Sequence, residues 1–303
     1  MSLAFSVIIP TRNRANTLED TLCSLNMVTY PKDLYEIIVV NNDREDKTTE
    51  EVIKRKKRVM KNLKYLIEPN IGASFARNKG VEVAKYNHLI FIDDDVHVTP
   101  NFLTGHNDAW RKYPDAKMLG GRITAVLSNR KPMSSGQKAM TKKYGWCFAH
   151  LDLSDTDTPL TLGWSIFSAN MSYRLEKDER QLFSLHFGIQ FKANDQIGAE
   201  DYELVTRTLL NDNKVIFVAS RSIQVEHLVS EERFTDDYIA YRHLKAGIEV
   251  YRMEFSLRKK FPQFKSFYIG NLRYFVVLKQ LFFDRNEQIH LLSYLFNGRY
   301  FVN

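Results

Sequence analysis

The sequence predicts an α/β protein with a mostly parallel central sheet flanked by helices and a helical C-terminal extension. Three observations carry that reading. Apolar runs at residues 5–9, 36–40 and 88–92 do not alternate with polar residues, as expected of strands covered on both faces. The stretches between them have helical spacing. Polar and acidic clusters directly follow the runs, where parallel sheets bind ligands beyond their carboxyl ends.

Taken in order, Asn16 and Glu19 read as a capping pair for a helix that carries Leu18, Leu22 and Leu25 on one face. Val52, Val59 and Leu63 place a second helix through a lysine-rich stretch, whose basic run at 54–58 reads as a solvated face. Ala73, Ala76, Gly80 and Ala84 form a small-residue stripe suited to close packing on a sheet. After Asp95 the pattern loosens. A helix is expected over 101–113, a Pro/Ser/Lys-rich loop over 129–143, a helix over 200–211 and a strand over 214–219.

With 303 residues, 44% hydrophobic and 26% charged, the chain is long enough for one large core or two ordinary ones, and disorder or a collagen-like fold is excluded. Cys23 and Cys147 are too few for a metal cluster and read as packing residues in a reducing compartment. The apolar start is stopped by Pro10, too soon for a signal peptide or a membrane span. The net charge of +7 is unevenly spread: residues 241–303 hold 11 Lys and Arg against 4 Asp and Glu, and the rest balances. That tail also holds 15 of the 38 aromatic residues, which sets a boundary near residue 236.

The sharpest chemical signal is Asp93-Asp94-Asp95, three adjacent carboxylates after an apolar strand. Such neighbours repel unless solvent or a cation relieves them, so the trio is either an exposed acidic turn or a metal or ligand site. Asp93 and Asp95 would face the same side of an extended chain. The first run ends in Pro10-Thr11-Arg12-Asn13-Arg14, without the glycines of a dinucleotide fingerprint, and no P-loop occurs. Asn41 and Asn42 end the second run, as an Asx turn or as readers of a base or ribose. Arg77 either snorkels or reaches a ligand, Asp201 is either a helix-dipole acid or an inward carboxylate, and His227 is either structural or a ligand. Trp164 is either an acceptor-stacking residue or buried core.

Read together, these segments resemble the ordered motifs of GT-A fold, family 2 glycosyltransferases. The resemblance continues through Gly120-Gly121-Arg122, Ser168-Ala169-Asn170-Met171-Ser172 and Ile197-Gly198-Ala199-Glu200-Asp201-Tyr202-Glu203-Leu204, covering about residues 4–230. It implies an inverting, metal-dependent transferase that moves a sugar from a nucleotide-diphospho-sugar to a hydroxyl of a glycan or lipid-linked acceptor, in cell-surface polysaccharide or glycoconjugate synthesis. Residues 1–235 would be the catalytic domain, with a nucleotide-binding half at about 1–100 and an acceptor half at 101–235; residues 236–303 would be the extension. By similarity, Pro10, Thr11, Arg14, Asn42, Arg77, Asp93 and Asp94 would bind the nucleotide-sugar. Asp95 and His227 would hold Mn²⁺ or Mg²⁺, Asp201 would be the catalytic base, and Glu200 and Trp164 would bind the acceptor. Aspartates are more usual where Asn41 and Asn42 stand, which leaves the preferred base open.

Two rival readings fit the sequence less well. A haloacid-dehalogenase-like phosphatase fits poorly, because Asp93 to His97 lacks that family's last motif residue and two strands precede it. A catalytically inactive module recruited to nucleic acid or membrane would rest on the tail alone, and nucleic acid is not an expected partner. In the tail, Tyr241, Leu244, Ile248, Tyr251 and Phe255 repeat at helical spacing, whereas the apolar segment 274–283 is too short and interrupted to span a bilayer. The surplus charge is expected to lie wholly outside the catalytic domain. Its helices either cover that domain, form a homodimer, or dock on an anionic membrane, giving a cytoplasmic protein that is free or peripheral on the inner face.

Overall fold

The computed structural model describes residues 2–185 and 198–262. The chain opens with β1 (Phe5–Thr11), α1 (Ala15–Asn26), β2 (Tyr35–Asn41), α2 (Lys47–Lys56), β3 (Leu63–Ile67), α3 (Ala73–Val83) and β4 (His88–Phe91). β1 lies between β2 and β4, parallel to both, and β3 adds a parallel edge beside β2. Every residue of β2 and all but Pro10 of β1 are buried, which is why these runs do not alternate. α3 packs closely because Ala76 and Gly80 are small: a Cβ on Gly80 would stand 2.4 Å from Ile8 Cγ2.

Two local expectations fail here. Asn16 and Glu19 do not cap α1; they lie inside it, and Arg14 occupies the cap position without a side-chain bond. Glu19 instead pairs with Arg55 and Lys56 of α2. The helix expected through Val52, Val59 and Leu63 stops at Lys56, Val59 is exposed, and Leu63 starts β3. The basic run does sit on solvated surface, where Lys54 pairs with Glu50.

The chain continues through β5 (Val96–Val98), α4 (Phe102–Lys112), β6 (Ala116–Gly121), β7 (Ile123–Leu127), α5 (Ser135–Tyr144), β8 (Thr158–Pro159), β9 (Met171–Arg174), α6 (Glu200–Leu210), β10 (Lys214–Val218), β11 (Val225–Val229) and α7 (Asp236–Lys260). β9 is inserted antiparallel between β4 and β6, β10 runs parallel to β6, and β8 closes the far edge of an eight-stranded sheet. A smaller sheet sets β11 between β5 and β7. The expected loop over 129–143 contains α5, started by a capping box of Ser134 and Gln137.

α7 packs on this body through Ile239, buried with Tyr144 and Phe148, and through Met253 and Leu257, buried with Ala199. Of the expected stripe, Tyr241 is exposed, and the side chains of Leu244, Ile248, Tyr251 and Phe255 lie outside the described residues, as does segment 274–283. No helix among the described residues is long and apolar enough to cross a membrane. Cys147 is buried as expected, but Cys23 is exposed.

Candidate active site

A cleft of about 730 Å³ opens beyond the carboxyl ends of β1, β2 and β4. Pro10, Thr11 and Arg14 border it from the end of β1, with Asn42 from β2, Arg77 from α3, Asp93 and Asp94 after β4, and Glu200 and Asp201 from the start of α6. Asp95 and His227 are buried next to this group and do not line the open cleft.

The three aspartates do not share one face. Residues 94 and 95 form a turn, and the carboxylates do not converge on one point: Asp93 meets Arg77, whereas Asp94 and Asp95 share Arg14. Asp93 accepts from Arg77 Nη2 at 3.0 Å. Asp94 accepts from Thr11 Oγ1 at 2.6 Å and pairs with Arg14 Nη1 at 2.8 Å. Asp95 Oδ2 takes Arg14 Nη2 at 2.5 Å and lies 3.5 Å from His227 Nε2. Burial raises Asp94 to about 7 against the pull of Arg14. Burial acts on Asp95 too, but His227 and Arg14 overcome it and hold that carboxyl well below the usual range.

Around Asp95 the donor set suits a hard divalent cation. Its Oδ1 is buried without a hydrogen-bond partner, and His227 Nδ1 meets the Phe148 carbonyl at 2.8 Å, which leaves Nε2 turned toward Asp95. Among the described residues no group of three or more such ligands converges, so most of a cation's shell would come from substrate oxygens and water.

Arg77, buried at the cleft wall, ties the two sides of the cleft together by donating from Nη1 to Glu200 Oε1 at 2.9 Å as well as to Asp93. It lies over the Phe183 ring at 5.3 Å. Beside it, Asp201 Oδ2 accepts from the Ser168 backbone N–H at 3.0 Å and from its hydroxyl at 3.2 Å. Asp201 Oδ1 has no hydrogen-bond partner. Burial, reinforced by the neighbouring Glu200 charge, raises Asp201 to about 7. A buried carboxyl anchored through one oxygen, with the other bare and a pKa near neutrality, is equipped to take a proton.

Two of the expected residues are engaged within the protein itself. Asn42 is a structural clamp: Nδ2 donates to the carbonyls of Glu68 and Asn70 at 2.9 and 2.7 Å, and Oδ1 accepts from Gly72 N–H at 2.6 Å. Its donors are spent on the loop before α3, which leaves only a spare lone pair on Oδ1 for a ligand. Gly72 adopts φ 150°, a conformation a side chain would strain, so the clamp and the glycine fix the loop together. Trp164, just after the left-handed Gly163 (φ 100°), packs against the main core and does not border the cleft. The indole on the cleft is Trp146, from the 3₁₀ turn Gly145–Phe148. Sequence reasoning also missed Ser168 as the anchor of Asp201, although its motif was visible, and the wall formed by α7, whose Arg242, Lys245 and Glu249 border the cleft. The surplus charge is therefore not wholly outside the catalytic body.

The sequence model of "Glycosyl transferase family 2" matches residues 6–165, more than half of the chain. The chain belongs to glycosyltransferase family 2. This membership leaves the phosphatase reading without support. Over 275 residues the chain is 24% identical to dolichyl N-acetyl-alpha-D-glucosaminyl phosphate 3-beta-D-2,3-diacetamido-2,3-dideoxy-beta-D-glucuronosyltransferase of Methanococcus voltae, covering 85% of this chain and 77% of that protein. Shorter matches span only 18% to 36% of the length of other curated relatives. S. aureus TarS 1-349 in complex with UDP superposes with a TM-score of 0.56 at 19% identity, over 94% of this chain and 77% of that one. The mannosyltransferase PcManGT of Pyrobaculum calidifontis, in complex with GDP-Man and Mn2+, gives 0.55 at 14% identity, over 97% and 74%. At these identities the likeness establishes the fold, which is GT-A.

Proposed function

We propose that this family 2 glycosyltransferase is an inverting, metal-dependent enzyme that transfers a sugar from a nucleotide-diphospho-sugar to a hydroxyl of a glycan or lipid-linked acceptor, in cell-surface polysaccharide or glycoconjugate synthesis. The observation that carries the proposal is Asp201. Its bare Oδ1, beside the Arg77 bridge, would accept the proton of the acceptor hydroxyl while Ser168 holds Oδ2 in place. The resulting oxygen nucleophile attacks the anomeric carbon from the face opposite the leaving diphosphate, so one base and one displacement invert that centre.

Asp95 and His227 would hold a divalent cation, whose charge stabilises the diphosphate as the glycosidic bond breaks. Arg14 would follow the donor's phosphates, with Pro10 and Thr11 bordering that end of the cleft. Asp93 and Glu200, each fixed by Arg77, would orient sugar and acceptor hydroxyls. The ligands named for TarS and PcManGT support a nucleotide-sugar donor with a metal, and the name of the M. voltae relative supports a lipid-linked acceptor. Melting the chain with UDP or GDP, each with and without MnCl₂, tests the donor and metal together. Stabilisation by a nucleotide that depends on the metal is expected. No shift from either nucleotide with Mn²⁺ or Mg²⁺ overturns the proposal.

A further inference from the structure

Arg233 and Arg242, with Lys245, border the cleft from α7 and the turn preceding it. Their surroundings differ from those of the arginines opposite. Arg14 is matched by Asp94 and Asp95, and Arg77 by Asp93 and Glu200. Among the described residues, neither Arg233 nor Arg242 has a carboxylate within ion-pair distance. Their neighbours are aromatic faces: Arg233 lies 5.9 Å from the Tyr238 ring and Arg242 lies 5.9 Å from the Trp146 ring. Arg242 Nε is buried without a hydrogen-bond partner.

Positions 242, 245, 246, 249 and 250 recur at three- and four-residue spacing, so one face of α7 looks into the cleft. Glu249 shares that face but does not neutralise it. Burial raises its carboxyl to about 8, and Oε2 is occupied by the Gly198 N–H at 2.7 Å. The face is thus cationic at neutral pH, with both guanidinium groups braced on rings and, among the described residues, neither of them ion-paired to a carboxylate. A ring-braced guanidinium loses little entropy on binding, and its fork of donors matches a tetrahedral oxyanion of more than one charge.

We propose that this face of α7, with Arg233, is a phosphoryl-binding wall of the cleft, so that a substrate group held there is a phosphate. The inference rests on the glycosyltransferase reading for its two sources, the diphosphate of the donor or a phosphate carried by the acceptor. It makes α7 part of the substrate site.

Titration calorimetry with inorganic pyrophosphate and inorganic phosphate, without nucleotide, tests the wall on the full chain. The wild type should bind, the Arg233→Gln/Arg242→Gln double variant should bind at least about tenfold more weakly at an unchanged melting temperature, and Arg242→Lys should lose less than Arg242→Gln. Repeating the phosphate titration with UDP or GDP and Mn²⁺ at saturation separates the sources: loss of binding assigns the wall to the donor diphosphate, and retention assigns it to the acceptor. Equal affinity in wild type and double variant, or no binding by the wild type at millimolar probe, overturns the wall even where nucleotide binds. Phosphate binding that depends on Arg242 in a chain that binds neither nucleotide keeps the wall and overturns the donor reading.

Discussion

At the residue scale, the same burial that equips Asp201 as a base also sets its pH behaviour. The base works ionised, so kcat/KM should rise with pH and level off above about 7. The raised value also means that the folded chain holds a proton that the unfolded chain releases from 3.8 upward, so stability falls as pH rises from there through about 7. Asp201→Asn removes that loss. The variant should lose transfer by roughly a thousandfold or more while keeping nucleotide binding, yet melt higher than wild type at pH 8, by on the order of 1 kcal/mol, and not at pH 4. Asn42 makes a second test. Asn42→Asp would set a carboxylate against the carbonyls of Glu68 and Asn70, so denaturant unfolding should register a loss of about 1–3 kcal/mol; an unchanged midpoint would contradict the clamp. The nine cleft residues named from the sequence lie at or just past the ends of β1, β2 and β4, at the start of α6 and, for Arg77, within α3. What Asn42 does with its amide, and which indole reaches the cleft, depended on loop partners distant in sequence.

At the scale of elements, the parallel half of the sheet was legible because both its faces are buried and its strands read as unbroken apolar runs. β3 was not, since it is an edge strand with only Leu63 buried and Lys64 exposed within it. β6 was hidden by Lys117, a buried cation whose partners Glu176 and Glu179 come from far along the chain. The Pro- and Ser-rich composition of 129–143 favours a loop and masks α5, although its capping box of Ser134 and Gln137 stands in the sequence. α3 packs closely on β1. Gly80→Val would drive a side chain into Ile8, and chemical denaturation should show a loss of about 2 kcal/mol or more. A neutral effect would mean that α3 stands farther from the sheet than described.

Over the whole molecule, a body with balanced charge carries its entire surplus in residues 241–303, and the first part of that tail both packs on the body and enters the cleft. Under the proposed function that charge would serve two ends: phosphate groups within the cleft and an anionic lipid surface where a lipid-linked acceptor would be met. Flotation of the full chain with phosphatidylglycerol vesicles at low salt, lost with neutral vesicles or in high salt, is expected from the second. Equal recovery with neutral vesicles would contradict recruitment by charge. The sequence located this charge but not its role, because only the packing of Ile239, Met253 and Leu257 turns one cationic face of α7 inward. The proposed transfer depends most directly on Asp201 acting with a metal and a nucleotide-sugar. Release of UDP or GDP from a panel of their sugars, measured with Mn²⁺ for wild type and Asp201→Asn side by side, tests all three. Metal-dependent release by the wild type and its loss in the variant are the predicted result; release by the variant at the wild-type rate, or none by the wild type from any sugar, would contradict it.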